Sequence, residues 1–470
     1  MLYQTLANDL ATQIQQGLYR PGDRLPSVRQ LARQRAISVS TAVSAYQQLE
    51  MTGLVVAREK SGIFVAVPSA RQLGAPVASG SSQPTELQMS DTIARIFAQN
   101  RQKGRVHFDL AVPDPALQPA TQLKAAVNRV LRHHFNDSLT LFPSPGDLEL
   151  RRLIAQRMAD SGCQVQPQEI VITNGCQEAL LISLQALTSP GDVVAVETPC
   201  YYGFLQALES LGLTVISIAT DAVTGMDMAS LEQALQDWPI RVCLCSPRFS
   251  NPSGACMPET AKKALVSLAQ RHDFYVIEDD IFGELCHSGP THPFSPKSLR
   301  AYDRSGRVIY CSAFSKNLSP GLRLGWVAAG EHRLRAMERQ RASTTGTASL
   351  PQLQLLDYLK TGHFDKHLAK VRRQYAANLQ RALAVIARAF PLGTQATRPQ
   401  GGFVLWISLP SSGPDAMALL EMAQAHNICF VPGQVFGFQG LDHCLRLSVA
   451  QPWTDTLETA LETLGRLAQV

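Results

Sequence analysis

Lys316 stands at the end of an apolar, β-type run, Val308-Ile309-Tyr310-Cys311, and Arg323 follows it just beyond a Pro320-Gly321 pair. A buried strand end is a costly place for an ammonium unless the amine has chemistry to do. An amine there can form a Schiff base with an aldehyde cofactor, and Arg323 can hold that cofactor's phosphate. Taken alone, the pair also reads as a surface lysine and arginine after a strand. The other residues that fall at strand ends narrow the choice.

From Arg105 onward, short apolar runs alternate with helical segments: Glu169–Thr173, Val193–Glu197, Val242–Ser246, Phe274–Glu278 and Val308–Cys311. That alternation predicts an α/β domain with a mostly parallel buried sheet, whose ligands bind beyond the strands' C-terminal ends. The residues just past those ends make one chemically consistent set. Gly175 opens a helix, so the amides of Cys176 and Gln177 can bind a phosphate together with Arg323 and the Ser315 hydroxyl. Tyr201 offers an aromatic plane for a flat heterocycle, and Asn251 can hydrogen-bond a phenolic oxygen. Asp279 can keep a pyridine nitrogen protonated, which makes the ring an electron sink. Singly, Asp279 reads as a helix cap, Asn251-Pro252 as a turn and Tyr201 as core. Jointly and in order, with Lys316 as the amine, they match every polar feature of pyridoxal phosphate.

The elements that must position this set belong to an ordinary globular chain. Of 470 residues, 45% are hydrophobic and 17% charged, enough apolar mass for a large core. No apolar stretch of membrane-spanning length and no signal-peptide pattern at Met1-Leu2-Tyr3-Gln4 is read, so no membrane partner is expected. Ten scattered cysteines without a CxxC pair point to reduced thiols in a cytoplasm, and no metal site is expected. The net charge of +5 is mild, but residues 1–70 carry seven Lys/Arg against four Asp/Glu, a net of +3. That basic lean permits a polyanionic partner.

The N-terminus reads as a separate module. Leu2, Leu6, Leu10 and Ile14 predict an amphipathic helix ended by Gly17, and Pro21-Gly22 a turn. Ser27 with Gln30 is a capping-box signature for a helix from Val28 to about Arg35. Ser38 caps a third helix, Val39 to about Thr52, with Ala42, Val43, Tyr46 and Leu49 facing inward and Gly53 as its stop. Leu54–Arg58 and Ile63–Val67 flank Glu59-Lys60-Ser61-Gly62 as a hairpin. Three short helices and a hairpin predict a winged helix-turn-helix, its third helix entering the major groove of double-stranded DNA. A small helical interaction domain is the alternative. From Pro68 to about Pro84 the chain is small, polar and punctuated by Gly, Pro and Ser, which reads as a flexible linker. A short helix with Ile93, Ile96 and Phe97 on its apolar face follows. The expected domains are therefore 1–68, a linker over 69–104, and 105–470 with a smaller lobe from about 340.

Two family resemblances attach to these residues. Pro21-Gly22-Asp23-Arg24-Leu25-Pro26-Ser27, Arg29, Leu31-Ala32, Ser38-x-x-Thr41, Ala45-Tyr46, Gly53-Leu54 and Gly62-x-Phe64-Val65 resemble the GntR-type DNA-binding domain. The resemblance implies DNA contacts from Arg29 and from the turn holding Ser38, Ser40 and Thr41. Arginine suits a phosphate or a guanine edge, and hydroxyls suit phosphates or either base. Val39 departs from the arginine usual there. Pro145-Gly146, Thr173-x-Gly175-x-Gln177, Glu197-x-Pro199-x-Tyr201, Asn251-Pro252-x-Gly254, Asp279-Asp280, Ser315-Lys316 and Leu445-Arg446-Leu447-Ser448 resemble a fold-type-I aminotransferase. That resemblance implies that Arg446 clamps the α-carboxylate of a ligand, a task suited to a bidentate guanidinium. Ala313, one of Ile281 and Phe282, and Leu141 and Phe142 replace groups that usually tune the lysine or reach a partner's phosphate, and they weigh against efficient transamination.

The two modules in one chain resemble the MocR-type transcriptional regulators. The expectation is a homodimer that binds DNA, carries pyridoxal phosphate on Lys316 and senses an amine or amino-acid effector through Arg446. A working aminotransferase with a passenger DNA-binding module, and a repressor whose large domain only dimerises, are the alternatives. They differ in turnover and in the effect of Lys316→Ala.

Overall fold

The computed structural model describes residues 2–15, 18–19, 23–51, 54–58, 62–65, 73–78, 83–85, 90–100, 104–287 and 296–469. They divide into two compact units, 1–72 and 73–470.

In the first unit, helices Leu2–Gln15, Val28–Gln34 and Val39–Met51 precede strands Val55–Arg58 and Gly62–Val65, paired antiparallel with Val55 opposite Val65. Spacing explains the core: Leu6 and Leu10 of the first helix meet Leu31 and Ala32 of the second and Ala42, Ala45, Tyr46 and Leu49 of the third, all buried. The expected capping box is present, Gln30 N–H donating to Ser27 Oγ and Ser27 N–H to the Gln30 side chain. Tyr46 ties the third helix to the second by donating its hydroxyl to the Pro26 carbonyl at 2.6 Å. One inward residue differs from expectation. Val43 is 36% exposed and Ala45 takes its place, because a helical turn of 3.6 residues puts 42, 45, 46 and 49 on one face. Gly17, Pro21-Gly22, Gly53 and the expected hairpin turn at 59–61 lie outside the described residues.

The second unit is built on a twisted sheet. Its strand order is Val77–Ala78, Thr214–Asp221, Val193–Thr198, Ile240–Cys245, Tyr275–Asp279, Val308–Ala313, Gly325–Ala328 and Ile170–Thr173, with Gly225–Met226 joined to one edge. From Thr214–Asp221 to Val308–Ala313 the neighbours are parallel, whereas Gly325–Ala328 is antiparallel to both its partners. The parallel strands are mostly apolar, as strands buried on both faces are. The expected runs all form strands, and four more, Val77–Ala78, Thr214–Asp221, Gly225–Met226 and Gly325–Ala328, join them. The smaller lobe carries a four-stranded antiparallel sheet in the order Gln395–Ala396, Val404–Ser408, Cys444–Ser448, Val431–Pro432. The apolar run Ile428–Val431 is split between two sheets. Ile428–Cys429 pairs with Val106–His107, and Val431–Pro432 pairs with Cys444–Ser448.

The stretch read as a linker over 69–104 is corrected in part. Leu73, Pro76, Ile93 and Ile96 are buried, and Val77–Ala78 adds a strand beside Asp221. Ala396 N–H donates to the Gly74 carbonyl, and Thr85 bridges to Val215. Helix Ser90–Asn100 is fixed by Ser90, whose N–H and hydroxyl both donate to Glu209. A composition rich in Gly, Pro and Ser concealed a few apolar anchors that gain more from burial than from solvent. Among the described residues no helix is long and apolar enough to cross a membrane, and no group of three or more His, Cys, Asp or Glu is placed to hold a metal ion.

Because Ile96 is 1% exposed, Ile96→Ala is expected to destabilise the large unit by about 2–5 kcal/mol in denaturant unfolding. An unpacked tether would leave the transition unmoved.

Candidate functional site

Strand Ile170–Thr173 ends at Asn174-Gly175, and helix Cys176–Leu187 starts there with its free amides facing out of the sheet. Gly175 has φ +86°, and a β-carbon on it would lie 2.7 Å from Arg323 Nη2. On the neighbouring strand, a β-carbon on Gly325 would lie 2.6 Å from the Gly175 carbonyl carbon and 2.9 Å from the Cys176 nitrogen. Gly175 therefore makes room for the Arg323 guanidinium, and Gly325 for the backbone of the helix N-terminus. Arg323 itself takes a left-handed backbone, φ +53°, and donates from Nη2 to the Asn174 carbonyl at 2.9 Å. Such strained residues persist where surrounding structure holds them. With the Ser315 side chain nearby in the same cavity, this arrangement could hold a dianionic phosphate.

The next strand ends bring the other groups. Tyr201 caps helix Tyr202–Ser210, its ring 4.7 Å from Tyr202 and 5.6 Å from Phe204. Gln177 Nε2 donates to the Gly203 carbonyl at 2.8 Å and locks that turn to the cradle. Asp279 is the last residue of its strand and is 5% exposed. Its Oδ1 accepts from Ile281 N–H at 3.1 Å and from the Cys176 thiol at 3.5 Å. Burial pushes its carboxyl up to about 6, the Ile281 and Cys176 donors pulling the other way. Lys316 Nζ donates to the Ala111 carbonyl at 2.6 Å. Desolvation, and next the positive charge of Arg446, push its ammonium down to about 8, against the pull of Asp279.

Cys176, Gln177, Tyr201 and Asn251 line one cavity with Asp279, Ser315, Lys316 and Arg323, and Gly175 adjoins it. The donor set fits pyridoxal phosphate: amides, a hydroxyl and a guanidinium suited to a phosphate, a flat aromatic wall, a buried carboxylate that could pair a ring nitrogen, and an amine of lowered basicity. Arg446 stands differently. It is fully buried on strand Cys444–Ser448 and lies outside that lining. Its Nη2 donates to the Asp109 carbonyl and its Nη1 reaches Asn251 Oδ1 at 3.4 Å, with Phe436 5.6 Å below. Arg446 thus connects to the cavity through Asn251.

Two features were missed by sequence reasoning. The segment around Asp109–Val112 reaches both Arg446 and Lys316, and no motif marks it. Arg248 and Asp280 form a buried ion pair, with Tyr310 donating to Asp280 at 2.7 Å and Arg248 to the Pro296 carbonyl at 2.8 Å. The acidic doublet Asp279-Asp280 was the available signal. Its first residue serves the cavity and its second anchors the floor.

In the first unit, Ser38 Oγ accepts from Thr41 N–H at 3.1 Å and pairs with the hydroxyls of Ser40 at 2.8 Å and Thr41 at 2.7 Å. The expected hydroxyls therefore cluster at the N-terminus of helix Val39–Met51. Arg29 is exposed on the preceding helix, as are Val39 and Val43 on this one.

Comparison with known proteins agrees with both halves. The family model "Aminotransferase class I and II" matches residues 106–464, and "Bacterial regulatory proteins, gntR family" matches residues 2–65. Two Escherichia coli K12 proteins, the uncharacterized HTH-type transcriptional regulators YdcR and YjiR, are similar end to end. YdcR is 40% identical over 99% of each chain, and YjiR 37% identical over 98% of each. Among solved structures, the α-aminoadipate aminotransferase LysN of Thermus thermophilus, complexed with N-(5'-phosphopyridoxyl)-L-leucine, superposes with a TM-score of 0.72. It is 30% identical and covers 82% of this chain and 98% of its own. The multiple substrate aminotransferase of Thermococcus profundus gives 0.74 at 27% identity, covering 82% of this chain and 96% of its own. The fold is that of pyridoxal-phosphate-dependent enzymes, and it supports a capacity to bind that cofactor.

The Lys316 value sets a pH dependence. Only the neutral amine is nucleophilic. With its pKa lowered to about 8, the rate at which cofactor-free protein takes up pyridoxal phosphate should rise about tenfold per pH unit below that value and level off above it. Stopped-flow absorbance from pH 6 to pH 9.5 measures it. A rise continuing through pH 9.5 would show an unperturbed lysine.

Proposed function

Since the chain belongs to the aminotransferase class I and II family and carries a GntR-type winged helix-turn-helix at its N-terminus, the pattern of the MocR subfamily, we propose that this regulator senses an amine or amino acid through pyridoxal phosphate held on Lys316. The observation that carries the reading is the joining of the two units. A helical DNA-binding unit with an exposed, hydroxyl-rich helix start shares a chain with a cavity furnished for this cofactor.

When bound, the cofactor supplies an electrophilic carbon for an incoming amine. The chain's own residues do the rest. The Cys176 and Gln177 amides, Ser315 and Arg323 hold the phosphate, Tyr201 covers the ring face, and Asp279 holds the proton on the ring nitrogen. Asn251 fixes the phenolic oxygen. Arg446 is the cation for the effector's carboxylate, brought to bear as its contacts to Asp109 and Asn251 exchange. On the DNA side, Arg29, Ser38, Ser40 and Thr41 make the polar contacts, and exposed Val39 and Val43 suit thymine methyls. Ten free cysteines fit a reducing cytoplasm.

A homodimer is part of the proposal. Leu131, Phe135, Leu139, Leu141 and Leu148 are 40–71% exposed within one short stretch of the large unit. So much apolar surface in one place marks an interaction face, and a second copy is its occupant. Two DNA-binding units per particle would then raise affinity through effective concentration.

Three measurements test the reading. In gel shifts on DNA upstream of its own gene at fixed salt, an amine effector should change the mobility or affinity of the holo protein. The change should vanish in Lys316→Ala, and an effect retained by that variant would remove the cofactor from sensing. Arg29→Ala should weaken specific binding by about 1–3 kcal/mol, roughly 5- to 150-fold. Leu139→Asp with Leu141→Asp should yield a monomer in sedimentation and a matching loss of DNA affinity. A stable dimer would place the interface elsewhere.

A further inference from the structure

Cys176 occupies two environments at once. Its backbone nitrogen belongs to the first turn of helix Cys176–Leu187, against the Gly175 and Gly325 backbones, while its side chain reaches the end of a strand on the other side of the cavity. There the sulfur lies 3.5 Å from Asp279 Oδ1, and Ile281 N–H lies 3.1 Å from the same oxygen. Both donors converge on Oδ1, and among the described residues Oδ2 accepts no hydrogen bond. The carboxylate is therefore turned, with one oxygen saturated and the other left for a donor in the cavity.

The direction of the thiol bond follows from electrostatics. A cysteine at a helix N-terminus is often acidified. Here burial, and then the charge of Asp279, raise the thiol well above its ordinary value, so at neutral pH it carries its proton. An ionised carboxylate can only accept, so S–H donates to Oδ1. We propose that Cys176 is a positioning residue for the cofactor ring: its thiol holds Asp279 in the rotamer that presents Oδ2 to the pyridine nitrogen, while its amide serves the phosphate. The inference rests on the pyridoxal phosphate reading of the cavity. It makes one residue the spacer between the two ends of the cofactor, so that ring nitrogen and phosphate are registered by the same helix start.

Removing the donor frees the carboxylate to rotate. The ring nitrogen is then less firmly paired, carries less positive charge and withdraws less from the lysine-bound nitrogen, which becomes more basic. The test compares wild type, Cys176→Ser and Cys176→Ala, each reconstituted with pyridoxal phosphate. It follows the pH titration of the visible band of the lysine-bound cofactor and the cofactor's retention on dilution. Cys176→Ala should move the titration midpoint up by about half to one pH unit and weaken retention about 3- to 10-fold, the size one hydrogen bond sets. Cys176→Ser, which keeps a donor, should stay within about twofold of wild type in retention, a shift well under one hydrogen bond.

A folded Cys176→Ala with an unchanged or lowered midpoint overturns the proposal, even if its melting temperature falls, because packing alone would lower stability without touching the titration. If Cys176→Ala does not fold, Cys176→Val fills the thiol's volume without a donor and is held to the same outcome. A wild-type protein that never develops the visible band overturns the cofactor reading and this inference with it.

Discussion

Asp279 and Lys316 stand at or just past the C-terminal ends of two adjacent parallel strands, where a buried carboxylate and a half-buried ammonium come into one cavity. Burying either one alone would cost several kcal/mol, and the rest of the large unit is arranged so that neither is alone. Asp279 is held by one amide and one thiol, Lys316 by one main-chain carbonyl. Beneath them the Arg248–Asp280 pair, with Tyr310, fixes the loop that carries Asn251 against the end of the Asp279 strand. The parallel sheet makes this possible. Side-by-side strands pointing the same way deliver their last residues to one line, and only loops and helix starts remain to fill the gaps.

That geometry explains why so much of the cavity was legible. Gly175, Tyr201, Asn251, Asp279 and Lys316 each follow an apolar run, and the rule that ligands gather at parallel strand ends needs nothing else. Local signals also served the first unit, where a capping box and a period of 3.6 are properties of adjacent residues. What stayed hidden is contact between distant segments. Nothing in Asp109-Leu110-Ala111 indicates that its carbonyls meet Arg446 and Lys316, more than two hundred residues further along the chain. The misassigned Val43 shows a different limit, since an apolar residue one step off the buried stripe reads as core until the helix is closed around it.

The stretch read from sequence as a linker carries a related lesson. Its composition is that of a tether, yet helix Ser90–Asn100 brings Phe97 to within 5.1 Å of Tyr202, whose ring is in turn 4.7 Å from Tyr201 and 5.8 Å from Phe436. The cavity's aromatic wall is thus continuous with a helix that lies between the DNA-binding unit and the sheet in the sequence. A few anchoring residues suffice to turn a spacer into part of the pocket's frame.

Arg446 has one further implication. On the small lobe's strand it grips Asn251 from the large lobe's loop and a carbonyl of the Asp109 segment, so it latches three pieces of backbone together. A carboxylate that docks on it must first undo that latch. Every 1.4 kcal/mol held in the latch lowers the apparent affinity of such a ligand about tenfold. If Arg446 takes an effector's carboxylate as proposed, the threshold for binding would be set by how firmly the protein holds on to itself.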